Sequence, residues 1–221
     1  MMHSLVSLKA GKFAAGILAA CLISTAAEAL PRKLLPVDQC ARDPSFVKFR
    51  SVLRDVVKRE DGQALLAMYA PGLKPSGYKP PERGRKVEAE DVMEREEWEI
   101  VHGIMRMGCA VAGPVYVMPS ASVQLDRYPE KDLKDKVLVL GGAKLFKVPH
   151  EEKSVVAILN WNTATAVGTG GDFWTGIRLA DGREGWVSDS DIYWMDPSFR
   201  YEVTFEKRHG KWMITGIIGA E

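Results

Sequence analysis

The sequence predicts an α+β fold, in which a helical N-terminal segment precedes an all-β half and a closing β-hairpin. Three observations predict it. Between residues 43 and 108, apolar side chains recur every three or four residues, the spacing of amphipathic helices. From residue 111 onward, short runs rich in Val, Ile, Leu and Trp alternate with turn residues, as in a small barrel or sandwich. Finally, His209-Gly210 separates the last two predicted strands as a tight hairpin turn.

Residues 1–29 have the pattern of a secretory signal peptide. Lys9 and Lys12 precede an apolar run of about fifteen residues that closes on Ala27-Glu28-Ala29, a small-residue cleavage site. The run is shorter than the roughly twenty residues that a membrane-spanning helix needs. We therefore expect export and cleavage, giving a periplasmic or secreted protein without a transmembrane span. An alternative stays open, because residues 18–21 resemble a lipoprotein box in which Cys21 would carry the lipid anchor.

The charge of the chain argues against one class of partner. Lys and Arg number 30 against 29 Asp and Glu, a formal net charge of +1. Proteins that bind phosphate backbones use clustered positive charge, and a nearly balanced chain does not supply that field. We therefore expect no nucleic acid among the partners.

Two cysteines, Cys40 and Cys109, remain available after either form of signal processing. An even pair in an oxidising compartment is most often a disulfide, and we predict that these two residues are linked. The alternative is a catalytic Cys109 activated by His102. That histidine lies seven residues earlier on the same predicted helix, too far to activate the sulfur.

The first predicted helix covers residues 43–58. Asp43 can accept hydrogen bonds from the first turn as an N-cap, and Pro44 suits the first helical position. Apolar residues then recur with helical spacing, which predicts one buried face.

Two further helices and a loop complete the N-terminal half. A short helix covers residues 62–70, and residues 72–86 lack hydrophobic periodicity and are expected to form a loop. A third helix runs from Asp91 to Gly108, with Asp91 and Glu94 spaced as a capping pair.

The rest of the chain is expected to be β-structure throughout. The predicted strands have the sequences VLVLG, AKLFKV, VVAILNW, TATAVGT, FWTGIRLA, REGWVS, YEVTFEKR and KWMITGII.

Residues 141–194 carry the motifs of a known family. GAKLFKVPHEEKSVVAIL has an alternating strand, a Pro-containing turn and a second strand, and DFWTGIRLADGREGWV forms a hairpin that ends in Gly-Trp-Val. This stretch resembles a bacterial SH3-like domain, which implies a small SH3-like β-barrel. Lys147-Val148-Pro149 stands where the family often has an Arg before the Pro region. Ser188 and Asp191 stand in place of the groove-building Pro and Tyr of eukaryotic relatives, so polyproline recognition is not implied.

The predicted organisation then has four parts. They are a signal peptide (1–29), a helical N-terminal domain or cap (30–112), an SH3-like β-barrel (113–196) and a C-terminal β-hairpin that packs on the rest (197–221).

The candidate binding residues are mostly aromatic. In an extended strand Trp174 points away from the apolar Ile177, and the family's hairpin can hold a ligand-facing Trp at this position. Asp172 lies in the adjoining turn, and Trp161 and Trp186 complete the candidate set. Flat rings beside polar groups stack on sugars and peptides. The competing interpretation is that these rings pack in the core or against neighbouring segments.

The sequence contains no common catalytic, metal-binding or cofactor-binding motif. We therefore expect no enzyme activity, no metal and no cofactor. The chain is interpreted as a non-catalytic envelope protein whose SH3-like module binds a cell-wall peptide or glycan (peptidoglycan) or an envelope protein. One alternative is a hydrolase with carboxylates from distant loops, of which Asp172, Glu184 and Asp189 are the first to consider. Another is a purely structural assembly module, in which Trp174 would be buried.

Overall fold

The structure, a computed structural model, describes residues 29–75 and 78–218. The predicted signal peptide up to residue 28, with Cys21, lies outside these residues, so its cleavage and its lipidation stay predictions. No helix in the described part of the chain combines the length and apolar character that a bilayer crossing requires.

Six α-helices occur in the described residues, and only two of them are longer than six residues. They are α1 Pro44–Lys58, α2 Gly62–Leu66, α3 Ala89–Val92, α4 Arg95–Ile104, α5 Ser120–Leu125 and α6 Glu130–Leu133. The first predicted helix is confirmed with its cap. The Asp43 carboxylate accepts the backbone N–H of Ser45 at 2.8 Å and that of Phe46 at 3.2 Å.

The third predicted helix is two helices, because the backbone of Met93 and Glu94 is extended between α3 and α4. Each helix starts with its own capping box, Glu88 with Asp91 in α3 and Glu94 with Glu97 in α4. Asp91 therefore caps the shorter helix instead of pairing with Glu94. Two capping boxes in succession specify two helix starts.

Eleven β-strands occur in the described residues. In chain order they are β1 Ala110–Ala112, β2 Val115–Met118, β3 Lys136–Val139, β4 Lys144–Phe146, β5 Val155–Ile158, β6 Thr163–Thr169, β7 Trp174–Leu179, β8 Glu184–Ser188, β9 Ile192–Trp194, β10 Glu202–Arg208 and β11 Lys211–Ile218. All the predicted strands are confirmed, as is the hairpin turn at His209-Gly210 between β10 and β11. The short strands β1, β2 and β9 were not predicted, nor were helices α5 and α6.

The strands form two antiparallel sheets. A four-stranded sheet has the order β1-β2-β10-β11, and a seven-stranded sheet has the order β5-β4-β8-β7-β6-β3-β9. The predicted fold class is therefore wrong: the described chain is mostly β, and its helices are short.

The seven-stranded sheet also does not close into the predicted SH3-like barrel. Its two edges, β5 and β9, do not pair with each other, so the sheet stays open. The β9 edge lies instead beside α4, with a cleft between them. The C-terminal hairpin belongs to the other sheet, because β10 pairs with β2.

The first hydrophobic core lies between the N-terminal helices and the four-stranded sheet. Phe46 and Leu53 of α1 are buried in it with Phe205 of β10 and Ile214 of β11. The ring centroids of Phe46 and Phe205 are 5.3 Å apart in an edge-to-face arrangement, a favourable geometry for an aromatic pair. The helices and the C-terminal hairpin therefore share one core.

The predicted disulfide between Cys40 and Cys109 is confirmed. Both residues are fully buried, and their Cα atoms are 5.6 Å apart. Cys40 lies in a 3-10 turn just before α1, and Cys109 immediately precedes β1. The bond therefore joins the start of the helical segment to the four-stranded sheet.

The inner face of the seven-stranded sheet has its own core. Its central residues, one from each of four strands, are Val137, Leu145, Ile177 and Val187. This packing leaves the opposite face of β4, β7 and β8 outside the core.

Candidate functional site

The candidate site lies on the face of the seven-stranded sheet that points away from its core. Gly176 of β7 pairs with Trp186 of β8, and Trp186 pairs with Phe146 of β4. Because side chains alternate along a strand, Trp174 lies on the same face as these residues, whereas Ile177 points into the core. We call Phe146, Trp174 and Trp186 the aromatic patch.

Trp174 is half-buried at one end of the aromatic patch. Its ring centroid lies 5.0 Å from that of Phe146 and 5.1 Å from that of His150, both edge-on. The indole is therefore partly covered, neither sealed in the core nor projecting freely. A ring held in place by such contacts loses little conformational freedom when a flat ligand stacks on it.

Trp186 is half-buried because it packs closely on glycines. A Cβ atom at Gly170 would come within 2.7 Å of the Trp186 ring, and one at Gly176 within 3.1 Å. Any larger residue at these positions would displace the indole. The glycines therefore let Trp186 form a flat part of the patch.

The turn between β6 and β7 carries Asp172 and Phe173, which we call the hairpin tip. Asp172 is exposed. Phe173 is 63% exposed, and its φ of 68° is unusual for a bulky residue. The backbone N–H of Asp189 donates to the Phe173 carbonyl at 3.0 Å, which ties the tip to the end of β8.

Trp161 does not join the aromatic patch. Its ring packs so closely on Gly141 that a Cβ atom there would lie 2.9 Å away, and it also contacts a second buried cluster that contains Leu34. The Trp161 carbonyl accepts the N–H of Leu34 at 3.0 Å. Trp161 thus connects the segment before α1 to the sheet. The structure brings Trp174, Trp186 and Asp172 to one region and leaves Trp161 outside it.

An apolar cleft of about 320 Å³ opens beside the hairpin tip. One wall is α4 with the turn that follows it, and the other is β9 with its flanking turns. The apolar lining includes Ile100, Met107, Phe173, Ile192, Trp194 and Phe199. Phe199 is 54% exposed and lies 5.9 Å from Trp194 between ring centroids. Phe173 therefore belongs to the cleft while its neighbour in sequence, Trp174, belongs to the aromatic patch.

Acceptor groups stand at the border of the apolar cleft, where Glu99 and Asp189 are part of the lining. The Thr175 hydroxyl donates to the Asp189 carboxylate at 2.6 Å, which orients that side chain. Next to the cleft, burial raises the pKa of Asp191, and the positive charges of Arg106 and Lys144 oppose the rise. Carboxylates at such a border can accept hydrogen bonds from amide or hydroxyl donors of a ligand.

The three carboxylates considered for a hydrolase do not all come together. Glu184 begins β8 and pairs with Arg178, whereas Asp189 follows the end of β8. At about 3.3 Å per residue, the extended strand separates Glu184 from Asp189 by roughly 16 Å. The two carboxyl groups of a glycosidase are about 5 to 10 Å apart. Asp172 and Asp189 lie at the same end of the hairpin, and Glu184 lies at the other.

Phe173 and Phe199 were not singled out from the sequence. Phe173 stands in a turn after Gly170-Gly171-Asp172, and Phe199 ends a short 3-10 helix after Asp196-Pro197-Ser198. Bulky apolar residues are uncommon among such turn-forming residues. An aromatic residue placed among turn-forming Gly, Asp, Pro and Ser residues was the feature that could have identified them. Among the described residues, no group of three or more His, Cys, Asp or Glu side chains could hold a metal ion.

The candidate site therefore consists of the aromatic patch, the hairpin tip and the apolar cleft. Comparison of the chain with protein-family models, with curated proteins and with solved structures finds no match.

Proposed function

We propose that the protein is a non-catalytic exported envelope protein that binds a cell-wall peptide or glycan through the aromatic patch and the adjoining apolar cleft. The observation that carries the proposal is the hairpin tip, which places the exposed Phe173 between the half-buried Trp174 and the cleft. A few aromatic side chains commonly supply most of the binding energy of a recognition surface.

The chemistry of the site fits a ligand that alternates apolar and polar groups. The half-buried indoles and the exposed Phe173 ring offer flat apolar surface, and Asp172 and Asp189 offer carboxylate oxygens beside it. Sugar rings have an apolar face surrounded by hydroxyl donors, and peptides have amide donors between their side chains. Both classes can therefore use stacking and hydrogen bonds at the same time.

Export is supported by two features of the chain. The predicted signal peptide directs the protein out of the cytoplasm, and the Cys40–Cys109 disulfide suits an oxidising compartment. We propose a periplasmic or secreted location, with anchoring through a lipidated Cys21 as the alternative.

The proposal can be tested by retention on isolated cell-wall sacculi. We expect Trp174→Ala and Phe173→Asn each to weaken retention of the mature protein by about tenfold, the usual loss when a central aromatic contact is removed. Asn accommodates a positive φ, so Phe173→Asn removes the ring without straining the turn. Trp161→Ala is the matched control, because it removes a half-buried indole outside the patch.

Equal retention of wild type, Trp174→Ala and Phe173→Asn would remove the proposed site. A wild-type protein that is not retained on sacculi at all would contradict a cell-wall ligand. Near-ultraviolet circular dichroism of each variant shows whether the packing of the aromatic side chains is intact.

A further inference from the structure

A second cleft, of about 430 Å³, lies on a different part of the molecule from the aromatic patch. It is bounded by the segment before α1, by α1 itself and by the turn after α4. Asp38, Arg50, Arg54 and Arg106 line it. We call it the arginine cleft.

Arg50 already binds a carboxylate inside the arginine cleft. Its two terminal nitrogens donate to the two oxygens of Asp38 at 2.7 Å each, a bidentate pair. Arg50 is only 8% exposed, so its guanidinium is fixed in position. This bidentate pair holds the Arg50 guanidinium against Asp38 in the wall of the cleft.

The other two arginines form no ion pair within the described part of the chain. Arg54 is exposed and forms no ion pair or hydrogen bond with the described residues. It follows Arg50 by four positions on α1, so two like charges lie on the same side of the helix, which is unfavourable without a counter-charge. Arg106 is exposed and donates a single hydrogen bond to the Gly141 carbonyl at 3.2 Å. The positive charge of Arg106 opposes the rise in the pKa of Asp191, but the two groups form no ion pair.

The arginine cleft is therefore positively charged in a chain that is nearly neutral. Three arginines and one aspartate line it, and Asp191 interacts with the charge of Arg106 from outside the lining, so the cleft has an excess of positive charge. A cleft with an excess of positive charge attracts small anions. Guanidinium groups also match the geometry of phosphate oxygens.

We infer that the arginine cleft is a binding site for a phosphate group, held by Arg54 and Arg106 beside the Arg50–Asp38 pair. A phosphate monoester has three terminal oxygens, so it can accept hydrogen bonds from both Arg54 and Arg106. The group belongs either to a small soluble phosphate ester or to a lipid headgroup. The site is independent of the function proposed above, because it shares no residue with the aromatic patch or the apolar cleft.

The inference is tested by titrating the mature protein with inorganic phosphate and with glycerol phosphate at low ionic strength. Nuclear magnetic resonance spectra recorded at each step monitor binding. We expect saturable shifts of the amide signals around Arg54 and Arg106. Arg54→Gln and Arg106→Gln should each weaken binding by about tenfold, because each removes a charged hydrogen bond. Arg95→Gln is the matched control, since its side chain is 85% exposed at the opposite end of α4 from Arg106.

A variant that is expected to bind phosphate more tightly distinguishes a specific site from a general effect of lost charge or lost folding. Asp38→Asn removes the carboxylate that competes for Arg50, so we expect phosphate to bind more tightly than to wild type. Vesicles of phosphatidylcholine with and without phosphatidic acid, whose headgroup is a phosphate monoester, distinguish the two sources. Binding to phosphatidic acid vesicles that is lost in Arg54→Gln assigns the lipid headgroup, and binding to the free esters alone assigns the soluble ligand.

Three results would overturn the inference. They are the absence of binding in every arm, an equal loss of affinity in Arg95→Gln and Arg54→Gln, and weaker binding by a folded Asp38→Asn protein.

Discussion

Two buried tyrosines differ in how their hydroxyl groups are satisfied. The Tyr69 hydroxyl lies in the first core without a hydrogen-bond partner among the described residues. Burial raises its pKa above the ordinary value, and the charge of Glu97 adds to the rise, so the group stays protonated. The Tyr193 hydroxyl, in contrast, lies 2.8 Å from the Ser122 hydroxyl.

We expect Tyr69→Phe to increase the free energy of unfolding by about 1 kcal/mol, because the change removes a desolvated and unpaired hydroxyl. Tyr193→Phe is the matched comparison and should decrease the free energy of unfolding by about 1 kcal/mol, because it leaves Ser122 without this partner. Urea denaturation of the two variants measures both values. A loss of stability in Tyr69→Phe as large as that in Tyr193→Phe would show that the Tyr69 hydroxyl is satisfied.

At the scale of an element, α1 depends on the cap at its first turn. Hydrogen bonds from the Ser45 hydroxyl, and from the backbone N–H groups of Phe46 and Ser45, hold the pKa of Asp43 below its usual value. A carboxyl whose pKa is lowered by folding stabilises the folded state above its unfolded-state pKa. That contribution is lost as the pH falls through the lowered folded-state pKa.

We expect Asp43→Ala to lower the melting temperature at neutral pH, and the difference from wild type to narrow below a pH of about 4. Asp43→Asn keeps an oxygen that can cap the helix but does not titrate. The difference between Asp43→Asn and Asp43→Ala should therefore stay constant with pH. Thermal unfolding followed by circular dichroism over a pH series checks this, and a wild-type-to-alanine difference that does not change with pH would contradict it.

At the scale of the whole molecule, the disulfide connects the helical segment to the four-stranded sheet. Cys40 and Cys109 are separated by 69 residues, and the loop that they close contains α1 to α4. A cross-link over a loop of this length restricts the unfolded chain and stabilises the folded state by about 4 kcal/mol in the chain-entropy account.

We expect reduction to lower the free energy of unfolding by about 4 kcal/mol, measured by urea denaturation with and without dithiothreitol. A double variant, Cys40→Ala with Cys109→Ala, should be insensitive to the reductant. Equal stability of the oxidised and reduced wild-type protein would contradict a stabilising role for the bond.

Local structure was largely predictable from the sequence. The cap at Asp43, the strands from β3 to β8 and the turn at His209-Gly210 all depend on residues close together in the chain. The disulfide was predictable as well, because Cys40 and Cys109 are the only cysteines outside the predicted signal peptide. The interruption at Met93 was missed, because the apolar spacing on which the prediction was based continues across it. The separate capping boxes of α3 and α4 were the signal that two helices begin there.

The site was predictable only in part. Strand alternation correctly separated Ile177 from the opposite face of β7. It could not indicate that Trp174 would pack edge-on against Phe146, or that Phe199 would face α4 across a cleft. Those relations join elements that are distant in the sequence.

The sequence by itself determined the cap of α1, most of the strands, the tight turn and the disulfide, because each is encoded by spacing or composition within a short segment or by a unique pair of residues. The tertiary structure alone decided that Met118 pairs with Val203 to create a second sheet, and that β5 and β9 remain open edges. Strand order depends on which apolar faces can be buried against each other. Alternative pairings of these faces compete across the whole chain, so a short segment does not decide between them. For the same reason the aromatic patch, the apolar cleft and the arginine cleft exist only once the chain has folded.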